Sequence, residues 1–194
     1  MIMNKFKTWL TENYPDFKHE DAHAFAKEKH DATGSVRKLT GLPYFTHPSN
    51  VANLLKSTGA SQEVVIAGYL HDTVEDAGVT LDEIKDKFGD RVAELVSGAS
   101  EPDKSASWDE RKKHTIHFLM HITDPEILQV VVADKLDNIM DLYKNGSSDM
   151  WKSFNAPYEK QKWYYSTLAD VFLEKIPDFP LTKRYKIMVD KVFS

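Results

Sequence analysis

The sequence Ala67-Gly68-Tyr69-Leu70-His71-Asp72-Thr73-Val74-Glu75-Asp76 decides how the rest of the chain is interpreted. Apolar residues recur at helical spacing over residues 61–76, which predicts a buried helix. A carboxylate in such a helix is costly unless another group compensates its charge. A divalent cation beside His71 and Asp72 is the expected compensating group, because imidazole nitrogen and carboxylate oxygen are both good metal ligands.

Two more residues stand where further ligands to such a cation are expected. His47 precedes a proline at the start of a predicted helix, and Asp134 follows the apolar run over residues 127–133. A carboxylate at the end of that run again needs a partner. The predicted metal ligands are therefore His47, His71, Asp72 and Asp134. This mixed nitrogen and oxygen set suits Mn²⁺, Fe²⁺ or Zn²⁺ better than Ca²⁺.

Two carboxylates follow one helical turn after the central pair. Glu75 and Asp76 lie four residues beyond His71 and Asp72, so they project towards the same side of the predicted helix. A single cation does not need all these carboxylates as ligands. One or both of Glu75 and Asp76 are then free to orient a water molecule and accept its proton. The pattern predicts metal-assisted hydrolysis of a phosphoester or pyrophosphate.

The composition supports this chemistry and excludes several others. The chain has 194 residues, of which 41% are hydrophobic and 28% charged, so we expect one globular domain over residues 1–194. There is no cysteine, which removes thiolate ligands, a cysteine nucleophile and disulfides. The net charge of −5 argues against broad binding of nucleic acid. We expect no membrane span and no secretory signal, and therefore a cytoplasmic protein.

The dominant periodicity is helical, and it predicts an all-α fold. The predicted helices cover residues 18–32, 46–57, 61–76, 81–88, 91–97, 108–121, 124–142, 157–175 and 183–193. The β-branched residues 130–132 alone fit a strand, but the continuation to Leu142 favours one long helix. Loops rich in Gly, Pro, Ser, Asp or Asn are expected at residues 32–43, 98–107, 145–149 and 177–182. A small β-hairpin near residues 40–45 is the expected exception to the helical fold.

Four ordered blocks of the sequence resemble the HD-domain alarmone hydrolases of the stringent response, the RelA/SpoT homologues. The blocks lie at residues 41–48, 67–76, 88–99 and 133–138, and with their surroundings they extend over more than half of the chain. The resemblance implies an HD-domain helical bundle. It also implies removal of the 3′-pyrophosphate from the guanosine nucleotide (p)ppGpp, normally with Mn²⁺. The length is similar to that of small, single-domain alarmone hydrolases.

The resemblance also assigns roles to individual residues. It places the family's metal ligands on His47, His71, Asp72 and Asp134, and its catalytic pair on Glu75 and Asp76. The family's nucleotide contacts fall on Arg37, Lys38 and Asn138. Two further substrate contacts are suggested by position alone. Lys135 adjoins the predicted ligand Asp134. The loop of Tyr44 leads directly into His47, which predicts that the tyrosine ring packs on a purine.

Some positions depart from the family pattern and leave the substrate open. Asp137 replaces a histidine, Lys135 replaces an arginine, and Asp141 stands where a threonine is common. A Val-Thr-Lys sequence is here replaced by residues 99–101, with Glu101 in the place of the lysine. The alternatives are another nucleotide or a nicotinamide cofactor phosphate as the substrate, or a non-catalytic module that binds an alarmone.

Other clusters have simpler interpretations. His19, His23 and His30 lie on a polar helix and are expected at the solvated surface. Residues 111–113 are expected to form a solvated basic face or to help bind a polyphosphate. The late aromatic residues are expected in the core or in a homodimer contact; they are Trp151, Trp163, Tyr164 and Tyr165.

Overall fold

The structure is a computed structural model that describes residues 18–101, 105–146 and 150–194. This part of the chain contains ten α-helices, one 3₁₀ helix at Met150–Ser153 and no strand. The α-helices are α1 His19–Thr33, α2 Thr46–Ser57, α3 Gln62–Leu70, α4 Thr73–Asp76, α5 Leu81–Phe88, α6 Asp90–Ala99, α7 Trp108–His121, α8 Pro125–Asn145, α9 Tyr158–Lys175 and α10 Pro180–Phe193. The predicted all-α fold is confirmed.

Helix α8 is the central element, and it packs against α2, α3, α6 and α10. Its start is defined by Asp124, whose side chain accepts a hydrogen bond from the main-chain N–H of Glu126 (3.0 Å), and by Pro125 in the first turn. Residues 130–132 lie inside this helix, as the sequence favours, and they are buried in the core. The same helix also buries two acidic residues, Asp134 and Asp137, on the side that packs against α2 and α3.

The close approach of α2 and α3 depends on a glycine. A Cβ atom at Gly68 would lie 2.7 Å from Leu55 Cδ1 and 3.1 Å from Ala52 Cα, closer than side chains ordinarily pack. Because Gly68 has no side chain, α3 rests directly on the backbone of α2. The short connection between the two helices makes them antiparallel, so the start of α2 meets the end of α3. This is where His47 and His71 come together.

The prediction of one helix over residues 61–76 is wrong at its centre. Helix α3 ends at Leu70, residues 71–72 form a turn, and α4 follows as a separate short helix. Two side chains bind carbonyl groups at the end of α3: Thr73 Oγ1 donates to Leu70 O (2.7 Å), and His71 Nδ1 contacts Gly68 O (3.0 Å). Side-chain donors of this kind compete with the helical pattern. The break leaves both His71 and Asp72 directed at one cluster.

The expected hairpin near residues 40–45 is reduced to one antiparallel bridge between Val36 and Pro43. Its main-chain hydrogen bonds include Arg37 N–H to Leu42 O, at 2.7 Å. The segment has no room to extend into strands, because it is closed on one side by Gly34, which ends α1 with a positive φ of 66°, and on the other by the start of α2. The bridge holds this segment beside α8.

The remaining helix bounds agree with the predictions to within a few residues. Helix α10 starts at Pro180, earlier than the predicted residue 183, because proline is favoured in the first turn of a helix. Parts of two predicted loops, residues 102–104 and 147–149, lie outside the described residues. None of the described helices combines the length and the apolar character that crossing a bilayer requires.

Candidate metal centre

Three elements bring the four predicted metal ligands together. His47 comes from the start of α2, His71 and Asp72 from the turn after α3, and Asp134 from the middle of α8. His47 Nε2 lies 3.2 Å from Asp134 Oδ1 and 3.5 Å from Asp72 Oδ2. His71 Nε2 lies 3.2 Å from Asp72 Oδ2 and 3.9 Å from Asp134 Oδ1. We refer to these four side chains as the ligand cluster.

The hydrogen bonding of His71 tests whether a cation fits this cluster. Its Nδ1 atom contacts the carbonyl oxygen of Gly68 at 3.0 Å, and this contact requires a proton on Nδ1. Its Nε2 atom is buried and has no hydrogen-bond partner among the described residues. In the neutral imidazole, that atom directs a lone pair at the carboxylates of Asp72 and Asp134. A lone pair and two carboxylates around one point form a donor set for a divalent cation.

The electrostatics of the cluster also favour a positive charge at this point. Burial lowers the pKa of His71, but the carboxylates of Asp72 and Asp134 raise the pKa to about 9. Burial raises the pKa of Asp72, but the imidazole of His71 holds this pKa below its usual value. Burial likewise raises the pKa of Asp134, and Lys135 brings it well below the usual value. The carboxylates therefore remain ionised and attract either protons on the histidines or a bound cation.

Asp137 is a residue of this site that the sequence analysis treated only as a departure from the family pattern. Its Oδ2 atom lies 2.7 Å from His47 Nδ1, and its Oδ1 atom accepts a hydrogen bond from Asn50 (3.0 Å). A carboxylate on Nδ1 holds the proton there and leaves Nε2 as the ligand atom, an arrangement common around metal-binding histidines. Asp137 lies three residues after Asp134 on a buried helix face, and that spacing was the available signal.

Two predicted substrate contacts, Lys135 and Asn138, are bound to Asp134. Lys135 Nζ lies 2.7 Å from Asp134 Oδ2, and Asn138 Nδ2 donates to Asp134 Oδ1 at 2.7 Å. Burial lowers the pKa of Lys135, but the neighbouring Asp134 raises it well above its usual value. Both residues therefore orient a member of the ligand cluster. Their predicted contact with a nucleotide stays a prediction.

Arg37 lies beside the ligand cluster and is already surrounded by acceptors. Its guanidinium donates to Asn138 Oδ1 (3.2 Å) and Asp141 Oδ2 (2.8 Å), and it lies 3.4 Å from Asp137 Oδ2. Lys38 is exposed, with its Nζ atom 4.8 Å from the centre of the Phe154 ring. We refer to Arg37, Lys38 and Asp141 as the Arg37 rim.

Two cavities meet at Arg37 and Asp141. One, of about 230 Å³, is also lined by Lys38, Tyr44 and Asn138. The other, of about 470 Å³, lies on the opposite side and is lined by polar residues of α2 and α8 that include Asp137. The predicted substrate-binding residues, apart from Lys135, therefore line the smaller cavity.

Tyr44 has a contact that the sequence did not suggest. Its hydroxyl group donates to Asp72 Oδ2 at 2.7 Å. Burial and the adjacent Asp72 raise the pKa of Tyr44, so the phenol stays protonated and remains a donor. The tyrosine therefore orients a member of the ligand cluster while its ring lines the smaller cavity. Its predicted packing on a purine stays a prediction.

The prediction of a surface position for His30 is wrong. Its side chain is buried, its ring centre lies 5.3 Å from that of Tyr44, and burial lowers its pKa. Neither ring nitrogen has a hydrogen-bond partner in the described part of the chain. The sequence pattern that indicates this burial is the stripe of Ala22, Ala26 and His30 at intervals of four residues. It is hard to recognise because charged residues such as Lys29 and Asp31 lie beside it.

Glu75 and Asp76 lie on α4, one turn beyond the ligand cluster. Glu75 is half-buried, and its Oε1 atom accepts a hydrogen bond from the main-chain N–H of Glu101 at 2.6 Å. Asp76 is exposed. The main-chain hydrogen bond thus gives the Glu75 carboxylate a defined orientation.

The late aromatic residues lie mostly in the core. Tyr164 and Tyr165 are buried, and Trp151 packs partly buried against the ring of Phe193. Trp163 is 41% exposed. The core interpretation therefore holds for three of the four residues.

Comparison with known proteins agrees with this arrangement. A family model described as an HD domain matches residues 22–156, and the chain belongs to the HD-domain family. A guanosine-3′,5′-bis(diphosphate) 3′-pyrophosphohydrolase of Aquifex aeolicus is 39% identical over 137 residues, which are 69% of this chain and 19% of that protein. The zebrafish (Danio rerio) enzyme of the same name, MESH1, is 39% identical over 61% of this chain and 65% of its own length. The chain thus spans less than a fifth of the long bacterial relative.

Two solved structures share the fold. The Listeria monocytogenes protein lmo0812 is 38% identical, with a TM-score of 0.67 over 76% of this chain and 98% of that one. A metazoan orthologue of SpoT, described as hydrolysing ppGpp, is 25% identical, with a TM-score of 0.74 over 93% of this chain and 96% of that one. The second likeness extends over nearly the whole length of both chains.

Proposed function

We propose that this protein is a metal-dependent phosphohydrolase that removes the 3′-pyrophosphate from the guanosine alarmones ppGpp and pppGpp. The observation that carries the proposal is the buried Nε2 atom of His71, which makes no hydrogen bond in the described structure and lies 3.2 Å from an oxygen of Asp72 and 3.9 Å from one of Asp134. Relatives named for this activity support the choice of substrate. We further propose a single domain that acts in the cytoplasm.

The four side chains of the ligand cluster would hold the cation. We propose Mn²⁺, which the family resemblance implies and which the two carboxylates suit; the two imidazoles would also accept Fe²⁺ or Zn²⁺. When bound, such a cation lowers the pKa of a water molecule and withdraws charge from a phosphate oxygen. Asp137, Tyr44, Lys135 and Asn138 each bind one member of the cluster and would keep its ligand atoms in place.

Glu75 and Asp76 would orient the attacking water and accept its proton. In the proposed reaction, the water oxygen bonds to the phosphorus atom attached to the 3′ oxygen, and the bond between that phosphorus and the 3′ oxygen breaks. One proton from water passes to a carboxylate, which returns a proton to the 3′ oxygen, so that this oxygen leaves as a hydroxyl group. Glu75 has a defined orientation for this role, since a main-chain N–H holds its Oε1 atom at 2.6 Å.

The nucleotide would lie in the smaller cavity, with Arg37 and Lys38 at its phosphates. Arg37 is paired with Asp141 before a nucleotide binds, so the phosphate and this carboxylate compete for one guanidinium. Tyr44 and Asn138 would contact the nucleotide inside this cavity, and Lys135, which lies outside it beside Asp134, would contact the pyrophosphate at the ligand cluster. Because Asp141 weakens the hold of Arg37 on a phosphate, the alternative substrates, another nucleotide or a nicotinamide cofactor phosphate, are included in the test.

The test incubates the protein, loaded with Mn²⁺, with ppGpp, pppGpp, other guanine nucleotides and nicotinamide cofactor phosphates, and separates the products by chromatography. We expect GDP and pyrophosphate from ppGpp, and GTP and pyrophosphate from pppGpp. Preferential turnover of another compound would replace the substrate. Binding of ppGpp without release of pyrophosphate would identify a non-catalytic module.

The variant Glu75→Ala separates the metal from the chemistry in the same assay. Glu75 is not a member of the ligand cluster, so this variant should bind Mn²⁺ like the unchanged protein. Its turnover should fall by about 100-fold or more, the usual effect of removing a general base. Normal turnover would show that Glu75 is not the base.

A further inference from the structure

The segment after α6 lies against the turn that carries His71 and against α4, which carries Glu75. The hydroxyl oxygen of Ser100 lies 3.3 Å from the carbonyl oxygen of His71 and 2.8 Å from that of Val96. The main-chain N–H of the next residue, Glu101, donates to Glu75 Oε1 at 2.6 Å. Two consecutive residues, Ser100 and Glu101, therefore contact the turn after α3 and the carboxylate of Glu75 on α4.

The side chain of Glu101 anchors this contact to α7. Arg111 Nη1 donates to Glu101 Oε2 at 2.6 Å, and Lys112 Nζ donates to Glu101 Oε1. The three side chains are 15–20% exposed, so the ion pairs are shielded from most of the solvent. Residues 111–112 therefore do not form the solvated basic face that was one of the two expectations. Burial raises the pKa of Glu101, but Lys112 holds this pKa below its usual value, so the carboxylate stays ionised.

Helix α7 presents the two cations at a defined position. A capping box begins the helix, in which Ser107 accepts from the main chain of Glu110 and the Glu110 side chain accepts from that of Ser107. Lys112 Nζ also lies 5.0 Å from the centre of the Tyr164 ring. Burial and the nearby Lys135 lower the pKa of Lys112, whereas the Glu101 carboxylate raises it.

We propose that Glu101 is a positioning residue for Glu75, because its ion pairs with Arg111 and Lys112 fix the main-chain N–H that orients the Glu75 carboxylate. The inference rests on the proposed function, in which Glu75 accepts a proton from water. Glu101 stands where the resembled family has a lysine, so the pairing with Arg111 and Lys112 belongs to this sequence and is not carried over from the family pattern.

The variants Glu101→Ala, Glu101→Gln and Lys112→Met test the proposal in the Mn²⁺-loaded protein. We expect Glu101→Ala to lower kcat about tenfold or more, since small misplacements of a catalytic group have large effects on rate. The KM and the Mn²⁺ concentration at half-saturation should change less than about twofold, because the ligand cluster is untouched. Glu101→Gln and Lys112→Met should lower kcat less. Lys113→Met is the matched control, since Lys113 is exposed on the same helix, and it should leave all three values unchanged.

A double variant distinguishes positioning from a general structural role. If Glu101 acts through Glu75, the variant Glu75→Gln/Glu101→Ala should be no slower than Glu75→Gln alone. A further drop in rate equal to that of Glu101→Ala by itself would overturn the proposal. If Glu101→Ala does not fold, as judged by thermal melting, the same cycle is run with the isosteric Glu101→Gln.

Amide hydrogen exchange tests the contact without relying on activity. The N–H of Glu101 should exchange at least about tenfold faster in Glu75→Ala than in the unchanged protein, because its acceptor has been removed. An exchange rate that is the same in Glu75→Ala and in the unchanged protein would overturn the proposal, even if the unchanged protein hydrolyses ppGpp. A protein that hydrolyses no nucleotide of the panel but shows this change would instead refute the proposed function and leave the contact established.

Discussion

The ligand cluster and the Arg37 rim both pack on helix α8, but their charges are balanced in different ways. In the cluster, His47 and His71 are almost completely buried, and the His71 Nε2 atom faces carboxylates without a hydrogen bond. At the rim, Arg37 and Asp141 form a 2.8 Å ion pair, and Asn138 and Asp137 lie beside it. In the cluster, Lys135 pairs with Asp134, and the remaining negative charge attracts protons on the histidines or a cation. At the rim, Asp141 already neutralises Arg37.

This difference determines how each region should respond to change. Groups in the cluster are placed by three packed elements and cannot shift to replace a missing neighbour. Groups at the rim have alternative partners within reach and can exchange them. Substitutions in the cluster should therefore act on metal binding with large effects, and substitutions at the rim should act on nucleotide binding with small ones.

The largest effect is expected from Asp72→Ala. This change removes a ligand of the cluster and the acceptor of the Tyr44 hydroxyl group, and it leaves His71 without its nearest carboxylate. We expect loss of Mn²⁺ binding, measured by calorimetry, together with loss of detectable hydrolysis. Glu75→Ala is the control, since it should lose turnover and keep the metal. An Asp72→Ala protein that hydrolyses ppGpp normally would disprove the assignment of the cluster.

The next effect in size is expected from Asp137→Ala. Without this carboxylate, the Nδ1 proton of His47 is no longer fixed, and Mn²⁺ affinity should fall about 10–100-fold, as with other outer partners of metal ligands. Asp141→Ala is the matched control, because Asp141 also contacts Arg37 and lies on the same helix but does not touch His47. Equal losses in the two variants would mean that the effect passes through Arg37 and not through His47.

The contrast between Asp137 and the helices shows which features the sequence can predict. Helices α2 and α7 have the bounds expected from the periodicity of their apolar residues, because that signal is local. The role of Asp137 depends on His47, which is 90 residues away in the sequence. No local pattern contains that contact, so it could be found only once α2 and α8 were packed together.

The break at residues 71–72 and the burial of His30 show a second limit. The apolar pattern over residues 61–76 continues through the turn, but side-chain donors at His71 and Thr73 interrupt the helix, and the pattern does not record that competition. The stripe that contains His30 is short and lies among charged residues. By contrast, the proximity of the four residues of the ligand cluster could be predicted. His71, Asp72 and Asp134 each place a charge or an imidazole in an apolar context, and His47 stands before a proline at the start of a helix.

The affinity of the ligand cluster for Mn²⁺ should depend on pH. Burial lowers the pKa of His71, but Asp72 raises this pKa to about 9, so His71 binds a proton at neutral pH in the metal-free protein. A cation must displace that proton, and Mn²⁺ affinity should rise about tenfold for each pH unit up to about pH 9, per proton displaced. Titrations at several pH values in two buffers would count the protons released. An affinity that is constant between pH 7 and 9 would contradict the raised pKa.

The smallest effect is expected from Asp141→Ala, which frees the guanidinium of Arg37 from one carboxylate. The two side chains are only 11% and 15% exposed, but Asp137 and Asn138 stay beside the guanidinium and take over part of the lost interaction. We therefore expect the loss of one hydrogen-bonded contact, worth about 1 kcal/mol, which corresponds to a change of about fivefold in an equilibrium constant. The KM for ppGpp should therefore fall about two- to fivefold, since the phosphate no longer competes with Asp141 for Arg37. The affinity for Mn²⁺ and the kcat should not change. Asp190→Ala, which removes an exposed partner of Lys186 on α10, should have no effect on KM. A KM that rises in Asp141→Ala would mean that Asp141 itself contacts the nucleotide, and the Arg37 rim would then belong to the recognition site as a preformed unit and not as a competitor for phosphate.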